Sequence, residues 1–164
     1  MNQPGADPFD FAQLPLRTFA SPGIGLVMSA PLSWVEAGDE KVFQLRDSAS
    51  DLEFNATAYE NQGLDLPRWA ELRLGAVVSE MPYLRPYGAP RPLRGIAWQG
   101  FAGEYQGVFP GGTLEKRYLV VAIVARNMLV SATVTGNVEA FQANERLLRW
   151  LLQNKLDFYT VERL

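Results

Sequence analysis

Apolar and polar side chains alternate along two neighbouring segments of the chain, residues 42–46 and, more clearly, residues 52–59. In the second segment the apolar set begins at Leu52 and the polar set at Glu53, and the two sets alternate to its end. This pattern is typical of a strand with one buried and one exposed face. The polar residues between the two segments favour a tight turn, so the sequence predicts an antiparallel hairpin.

A change to helical spacing follows the hairpin. Asp65 can cap the free amides of a first turn, Pro67 is tolerated within that turn, and Pro82 ends the pattern. The sequence therefore predicts a helix over residues 65–81. Glycine inside a helix costs up to about 1 kcal/mol relative to alanine, so Gly75 suggests close packing against a sheet. The apolar residues at helical spacing are Leu66, Trp69, Ala70, Leu74, Val77, Val78 and Met81.

The longest apolar run, residues 118–125, has no polar side. A strand of this kind belongs in the middle of a sheet whose two faces are covered. Residues 126–127 are typical of a two-residue turn, because asparagine accepts the positive φ that such turns need. Residues 128–135 alternate as the partner strand, and a final helix begins at residues 136–137. That helix is apolar enough to pack against the sheet and to contact a partner as well.

Together these elements predict an α+β fold, in which an antiparallel β-sheet is flanked by helices on both faces as an α/β/α sandwich. A chain of 164 residues is close to the usual size of one domain, about 100–150 residues. We assign residues 22–164 to a single domain and the proline-rich residues 1–21 to a flexible leader. No apolar run is long enough for a signal peptide or a membrane span, so we expect a cytoplasmic protein.

The composition excludes several classes of chemistry. The chain has no histidine and no cysteine, and these residues carry most nucleophilic, redox and zinc sites in proteins. A net charge of -3 is unsuited to nucleic acid, whose binding requires the neutralisation of many phosphates. We therefore expect a protein that is not an enzyme and that binds no metal, cofactor or nucleic acid.

Carboxylates provide the remaining candidates for chemistry, and none forms a recognisable motif. Asp47, Asp51 and Glu53 are close in sequence but lack the alternating ligands and the central glycine of a calcium loop. Glu53 and Glu104 resemble a glycosidase pair only in residue type. Residues 107–112 are rich in glycine, but they lack the lysine and hydroxyl residue of a phosphate loop and predict a turn.

The most unusual segment is residues 83–94, which combines three prolines with arginine and tyrosine. Proline favours an extended backbone with few hydrogen bonds, so the segment is predicted to be a loop or an irregular sheet edge. Arginine and tyrosine are enriched among the residues that dominate protein interfaces, and a stiff backbone lowers the entropic cost of binding. The alternative is a solvated connector. The partner-binding candidates are Tyr83, Arg85, Tyr87, Arg91 and Arg94.

The order of these elements resembles the PsbP-like fold superfamily over about residues 22–160. The resemblance starts with a short strand and the Pro-x-x-Trp element at residues 31–34, and continues through the hairpin, the helix, a meander of long strands and a terminal helix. The superfamily includes a photosystem II subunit, an import factor that binds the Ran GTPase, and bacterial domains such as the Eag-type adaptors of type VI secretion. No catalytic set is shared, so no functional residue transfers to this chain.

The resemblance implies a protein-binding role, and its Eag-type branch would imply a dimer that chaperones a secreted effector. The long leader and the segment 83–94 depart from that branch. A second hypothesis is a carrier of a small hydrophobic ligand or lipid, held between sheet and helix. A third, an enzyme that uses carboxylates or arginine, lacks a motif. The lining of the carrier pocket would comprise Trp69, Trp98, Phe101 and Trp150.

Overall fold

The computed structural model describes residues 11–61 and 63–159. Its architecture is α+β, with two helices and a mostly antiparallel sheet. A short 3-10 turn at Phe11–Gln13 comes before the first strand. In chain order the elements are β1 Leu16–Ser21, β2 Leu26–Pro31, β3 Trp34–Glu36, β4 Phe43–Asp47, β5 Glu53–Glu60, α1 Leu66–Glu80, β6 Leu84–Pro86, β7 Arg91–Arg94, β8 Gln99–Val108, β9 Glu115–Ala125, β10 Met128–Asn137, α2 Val138–Asn154 and β11 Leu156–Phe158.

The larger sheet has the strand order β3-β4-β5-β10-β9-β8-β6, and β7 also pairs with β8. The predicted hairpin is confirmed, since Leu45 of β4 lies opposite Phe54 of β5. The apolar run 118–125 lies in β9, between β10 and β8, as its pattern predicted. The turn between β9 and β10 has positive φ at both Arg126 and Asn127, as a tight hairpin requires.

A smaller sheet has the order β1-β2-β11 and differs from the sequence-based expectation. Residues 1–21 were expected to form a flexible leader, but Leu16–Ser21 is a strand that pairs with β2 along its whole length. The physical reason is burial, because Phe19 is only 8% exposed and belongs to the main hydrophobic cluster. The first ten residues of that leader lie outside the described residues.

Helix α1 begins and ends within one residue of its prediction. The Asp65 carboxylate accepts a 2.9 Å hydrogen bond from the amide of Arg68, and Pro67 lies in the first turn. The expectation of close packing at Gly75 is wrong, because this residue is exposed and a Cβ added there would meet no atom within 4 Å. Both helices in the described part of the chain are too short or too polar to cross a membrane.

The side chains of β9 alternate between two hydrophobic clusters. Val120 belongs to a small cluster with Leu74 and Val77 of α1. Val121 belongs to the large cluster that includes Phe141 of α2 and the strands of the smaller sheet. Helix α2 starts at its predicted position, where the side chain of its N-cap residue accepts a hydrogen bond from the backbone.

Candidate functional site

The segment 83–94, which we call the arm, lies along the outer side of β8. Its two short strands, β6 and β7, pair with opposite ends of β8. Between them, the amide of Tyr87 donates a 2.7 Å hydrogen bond to the carbonyl of Glu104, and Gly88 takes a positive φ of 82°. The arm is therefore the irregular edge that its prolines predicted, and its backbone is held in place by β8.

Strand register brings part of the arm together with the interior of the sheet. Arg85 of β6 lies opposite Gln106 of β8, and Gln106 lies opposite Arg117 of β9. Directly opposed residues in antiparallel strands project from the same face of a sheet. The face that carries Arg85 is therefore the face that carries Arg117, and Phe141 of α2 packs on it.

Three of the five predicted partner-binding residues lie near one another in the arm. Arg85, Tyr87 and Arg91 are exposed. The Arg85 guanidinium lies 3.4 Å from the carboxylate of Glu115, and the Arg91 guanidinium lies 3.4 Å from that of Glu104. Both arginines thus present a charge that already has a carboxylate partner, on a backbone that is fixed by β8.

The structure places Tyr83 and Arg94 away from those three. Tyr83 is half-buried beside the α1 cluster. Its ring contacts the Phe109 ring edge-on, with 5.2 Å between the ring centroids. Arg94 is exposed at the far end of β7, where its carbonyl accepts a 3.4 Å hydrogen bond from Gln153 of α2. The arm therefore divides into a central group, in which Tyr87 contacts Arg117, and two flanking residues. Partner binding by any of the five stays a prediction.

Arg117 is the site residue that sequence reasoning missed. It is only 3% exposed, although it carries a full positive charge. The centre of its guanidinium lies 3.8 Å from the centroid of the Tyr87 ring and 5.5 Å from that of Phe141. Its Nε atom is buried and has no hydrogen-bond partner in the part of the chain that the structure describes. The alternation of β9, extended from Leu119 back to residue 117, would have indicated an inward-pointing arginine.

The acidic residues near Arg117 form ion pairs with other arginines. Glu104 contacts Arg91 at 3.4 Å and Arg149 at 3.9 Å. Arg149 also lies 3.1 Å from Glu145, one helical turn earlier. Among the described residues, Arg117 forms no ion pair with a carboxylate. Within residues 11–61 and 63–159, the groups recorded against its charge are the electron-rich faces of two aromatic rings.

The three clustered acids of the β4–β5 turn have separate structural roles. Asp47 accepts hydrogen bonds from the hydroxyls of Ser33 and Ser50, both at 2.7 Å. The Asp51 carboxylate accepts a hydrogen bond from the backbone amide of Asn137. The Glu53 carboxylate forms an ion pair with Arg46 on the neighbouring strand. Burial acts to raise the pKa of Asp47, but these hydroxyls and the amide of Ala49 outweigh it and lower that pKa.

Two tyrosines have a raised pKa, which disfavours the reactive phenolate form. Burial raises the pKa of Tyr105 and of Tyr118, and the nearby Arg73 offsets only part of this effect. The Tyr105 hydroxyl lies 3.4 Å from the carbonyl of Leu74, to which it donates. Both phenols therefore stay protonated near neutral pH and serve packing between α1 and the sheet.

The aromatic residues expected to line one carrier pocket lie at separate places. Trp69 lines a cleft of about 450 Å³ beside α1, and its indole donates to the carbonyl of Val130. Trp98 lines a different cleft of about 530 Å³ at the end of β8. The ring of Trp150 packs against that of Phe11, with 5.6 Å between the ring centroids. The single pocket that the carrier hypothesis assumed is therefore not formed by these residues.

A third cleft, of about 270 Å³, does lie between α1 and the sheet. It opens beside exposed Val78 and is closed on one side by the arm. Apolar groups and glycines dominate its lining, so it offers little besides hydrophobic contact. The lining consists of Leu74, Gly75, Val78, Pro86, Gly88, Pro90, Gly103, Glu104 and Tyr105.

The fold is similar to that of several solved structures. CyanoP, the cyanobacterial PsbP of Synechocystis sp. PCC 6803, gives a TM-score of 0.64 at 13% identity, over 96% of this chain and 100% of that chain. The Ran-binding protein Mog1p of Saccharomyces cerevisiae gives a TM-score of 0.62 at 11% identity, over 92% of this chain and 97% of that chain.

A protein of unknown function from Pseudomonas aeruginosa, PA94, gives a TM-score of 0.58 at 12% identity, over 91% of this chain and 98% of that chain. No protein-family model matches the sequence, and a search of curated proteins finds no significant match. Similarity at such low identity shows the fold alone. This chain has a PsbP/Mog1-like α+β fold.

Proposed function

We propose that the protein is a non-enzymatic protein-binding module that contacts its partner through the centre of the arm. The observation that carries this proposal is the position of exposed Tyr87 over buried Arg117, between the exposed Arg85 and Arg91. Arginine and tyrosine on a backbone fixed by strand pairing offer directed contacts at a low entropic cost. A solvated connector would not require its tyrosine to cover a buried charge.

The comparison with known folds supports a role in protein binding. Mog1p is described as a Ran-binding protein, and it shares the fold of this chain at 11% identity. The absence of histidine and cysteine from the sequence supports the non-enzymatic part of the proposal. The partner of Mog1p is not transferred to this chain.

A charge-reversal experiment tests the arm as the binding surface. The variant Arg85→Glu/Arg91→Glu should lose at least one protein that wild type captures from a lysate of its native host. The control Arg17→Glu/Arg68→Glu makes the same change in net charge at two other exposed arginines, and it should keep that protein. Arg94→Glu should also keep it, because Arg94 lies apart from the central group. Equal capture by all four proteins would contradict the proposal.

A narrower form of the proposal is a cytoplasmic secretion adaptor that forms a homodimer and chaperones a hydrophobic effector segment. The alternation of β9 between the α1 cluster and the α2 cluster supports the α/β/α arrangement expected for this fold. Exposed apolar residues such as Leu72 and Val78 of α1 support an apolar contact surface. Light scattering coupled to size-exclusion chromatography would measure the mass; a monomer at all concentrations would contradict the dimer.

The cleft between α1 and the sheet supports a second candidate, a carrier of a small hydrophobic ligand. Its volume of about 270 Å³ is just below the lower end of ligand pockets, about 300 Å³. Native mass spectrometry of the protein purified from its host should then show a bound small molecule that Gly103→Phe displaces. An unliganded mass for wild type would contradict this candidate.

A further inference from the structure

The buried charge of Arg117 costs the free protein stability. An unpaired ion that leaves water loses much of its hydration free energy. A cation over an aromatic face recovers only part of that loss. The rings of Tyr87 and Phe141 lie at 3.8 and 5.5 Å, so the closer ring makes the larger contribution. The hydrogen-bonding capacity of the Nε atom is left unused.

The charges around Arg117 indicate what kind of ligand group would pair with its guanidinium. Arg85, Arg91 and Arg149 each have a glutamate within ion-pair distance. Arg117, by contrast, has no glutamate or aspartate within ion-pair distance among the described residues, so its positive charge is left without a carboxylate there. A guanidinium binds one carboxylate through two parallel hydrogen bonds. A polyanion such as nucleic acid would need several unpaired cations, which the described part of this face does not offer.

The Tyr87 ring lies over this guanidinium, 3.8 Å from its centre to the ring centroid. Its backbone is fixed by the 2.7 Å hydrogen bond to Glu104, but its side chain is 50% exposed. Rotation of this side chain would move its ring off Arg117, and exposed side chains change rotamer on a timescale of nanoseconds or less. The strand pairing of the arm would remain intact during this change.

We propose that Arg117 is the anchor for an aspartate or glutamate side chain of a protein partner, which reaches the guanidinium when the Tyr87 ring moves aside. This inference rests on the proposed function, since it takes the arm as the partner-binding surface and names the chemistry that the surface recognises. The carboxylate supplies an ion pair and a hydrogen-bond acceptor for Nε, neither of which the described residues of the free protein provide.

A display library of random linear peptides provides the probe. Peptides selected by wild type should share an aspartate or glutamate, and its change to asparagine or glutamine should weaken binding at least about tenfold, as expected for a buried charge pair. Arg117→Met should weaken the acidic peptide equally. The two changes together should cost little more than either alone, because both remove the same contact.

Control variants separate the anchor from loss of folding and from the proposed function. Arg117→Lys keeps the charge without the two parallel hydrogen bonds and should show an intermediate affinity, and circular dichroism should show that both variants are folded. Arg68→Met removes an exposed arginine that pairs with Glu71 of the same helix, and it should bind like wild type. Tyr87→Ala should speed association with the acidic peptide, since the cover is absent.

The outcomes are distinct for the two proposals. If peptides bind and lose affinity with Arg85→Glu/Arg91→Glu, but not with Arg117→Met, the anchor is overturned and the arm remains the binding surface. If binding is insensitive to every change in the arm, or if wild type selects no peptide, both proposals are overturned. Slower association of Tyr87→Ala would overturn the covering role of the ring.

Discussion

At the scale of single residues, the surroundings of Arg117 and Asp47 show two ways in which a charge is accommodated. Arg117 is buried against aromatic rings and makes no ion pair among the described residues. Asp47 lies at the end of β4, where two hydroxyls and an amide donate to its carboxylate. Hydrogen bonds from several donors stabilise the ionised carboxylate, whereas ring faces only partly replace the water that a guanidinium loses.

We expect Arg117→Met to leave the free energy of unfolding unchanged or to raise it by up to about 2 kcal/mol, because an apolar side chain of similar length avoids the desolvation of a charge. Chemical denaturation at neutral pH measures this difference. A decrease of more than about 1 kcal/mol would mean that the ring contacts outweigh desolvation, contrary to our argument.

We expect the stability contributed by Asp47 to depend on pH below about 4. Its folded pKa lies below the ordinary value of 3.8, so the contribution is fully present above that value and disappears as the pH falls through the folded pKa. Asp47→Asn should lower the free energy of unfolding by about 1 kcal/mol at pH 7. Thermal unfolding at a series of acid pH values should show that the difference in stability between Asp47→Asn and wild type decreases as the pH falls. A difference that stays constant would contradict the lowered pKa of Asp47 as its cause.

At the scale of elements, two glycines of the candidate region differ in what they permit. Gly107 of β8 allows β6 to pair closely, because a Cβ there would lie 2.2 Å from the carbonyl oxygen of Tyr83. Gly75 of α1 has free space around it and only weakens the helix. The attachment of the arm therefore requires its glycine, while α1 does not.

Gly75→Ala should raise the free energy of unfolding by about 0.5–1 kcal/mol, since the helix gains propensity and no atom has to move. Denaturant unfolding of wild type and variant measures the change. The matched control is Gly103→Ala, whose Cβ would lie 2.9 Å from the Tyr105 hydroxyl and should give no such gain. A loss of stability in Gly75→Ala would show that the helix packs more closely than the structure indicates.

At the scale of the whole molecule, the two sheets share one hydrophobic cluster. Phe19 and Leu26 from the smaller sheet lie in the same cluster as Val121 and Phe141. Strands that contribute to one continuous cluster are expected to unfold together. The smaller sheet is thus part of the folded body, although the sequence pattern of its first strand suggested a leader.

We expect Phe19→Ala to lower the free energy of unfolding by about 3 kcal/mol, the usual cost of truncating a buried phenylalanine. The unfolding transition should remain single when it is followed by both tryptophan fluorescence and circular dichroism. Arg17→Ala changes an exposed residue of the same strand and should be close to neutral. If Phe19→Ala left the free energy of unfolding unchanged, β1 would behave as a leader that adds nothing to the stability of the folded domain.

Local signals predicted much of the fold. The cap at Asp65, the turn at residues 126–127 and the apolar run in β9 are each encoded within a few neighbouring residues. The same holds for the start of α2. Such features follow from hydrogen bonding and periodicity along one segment, so they can be read without knowledge of the rest of the chain.

The sequence by itself determined the helices, the central strand and an arm rich in proline, arginine and tyrosine. The tertiary structure decided that Tyr87 covers Arg117, that Tyr83 and Arg94 lie apart from the arm's centre, and that Leu16–Ser21 joins a sheet. These contacts depend on the register between strands distant in sequence, which shifts every side chain to the other face when it slips by one residue. Local pattern cannot set that register; packing of the whole core does.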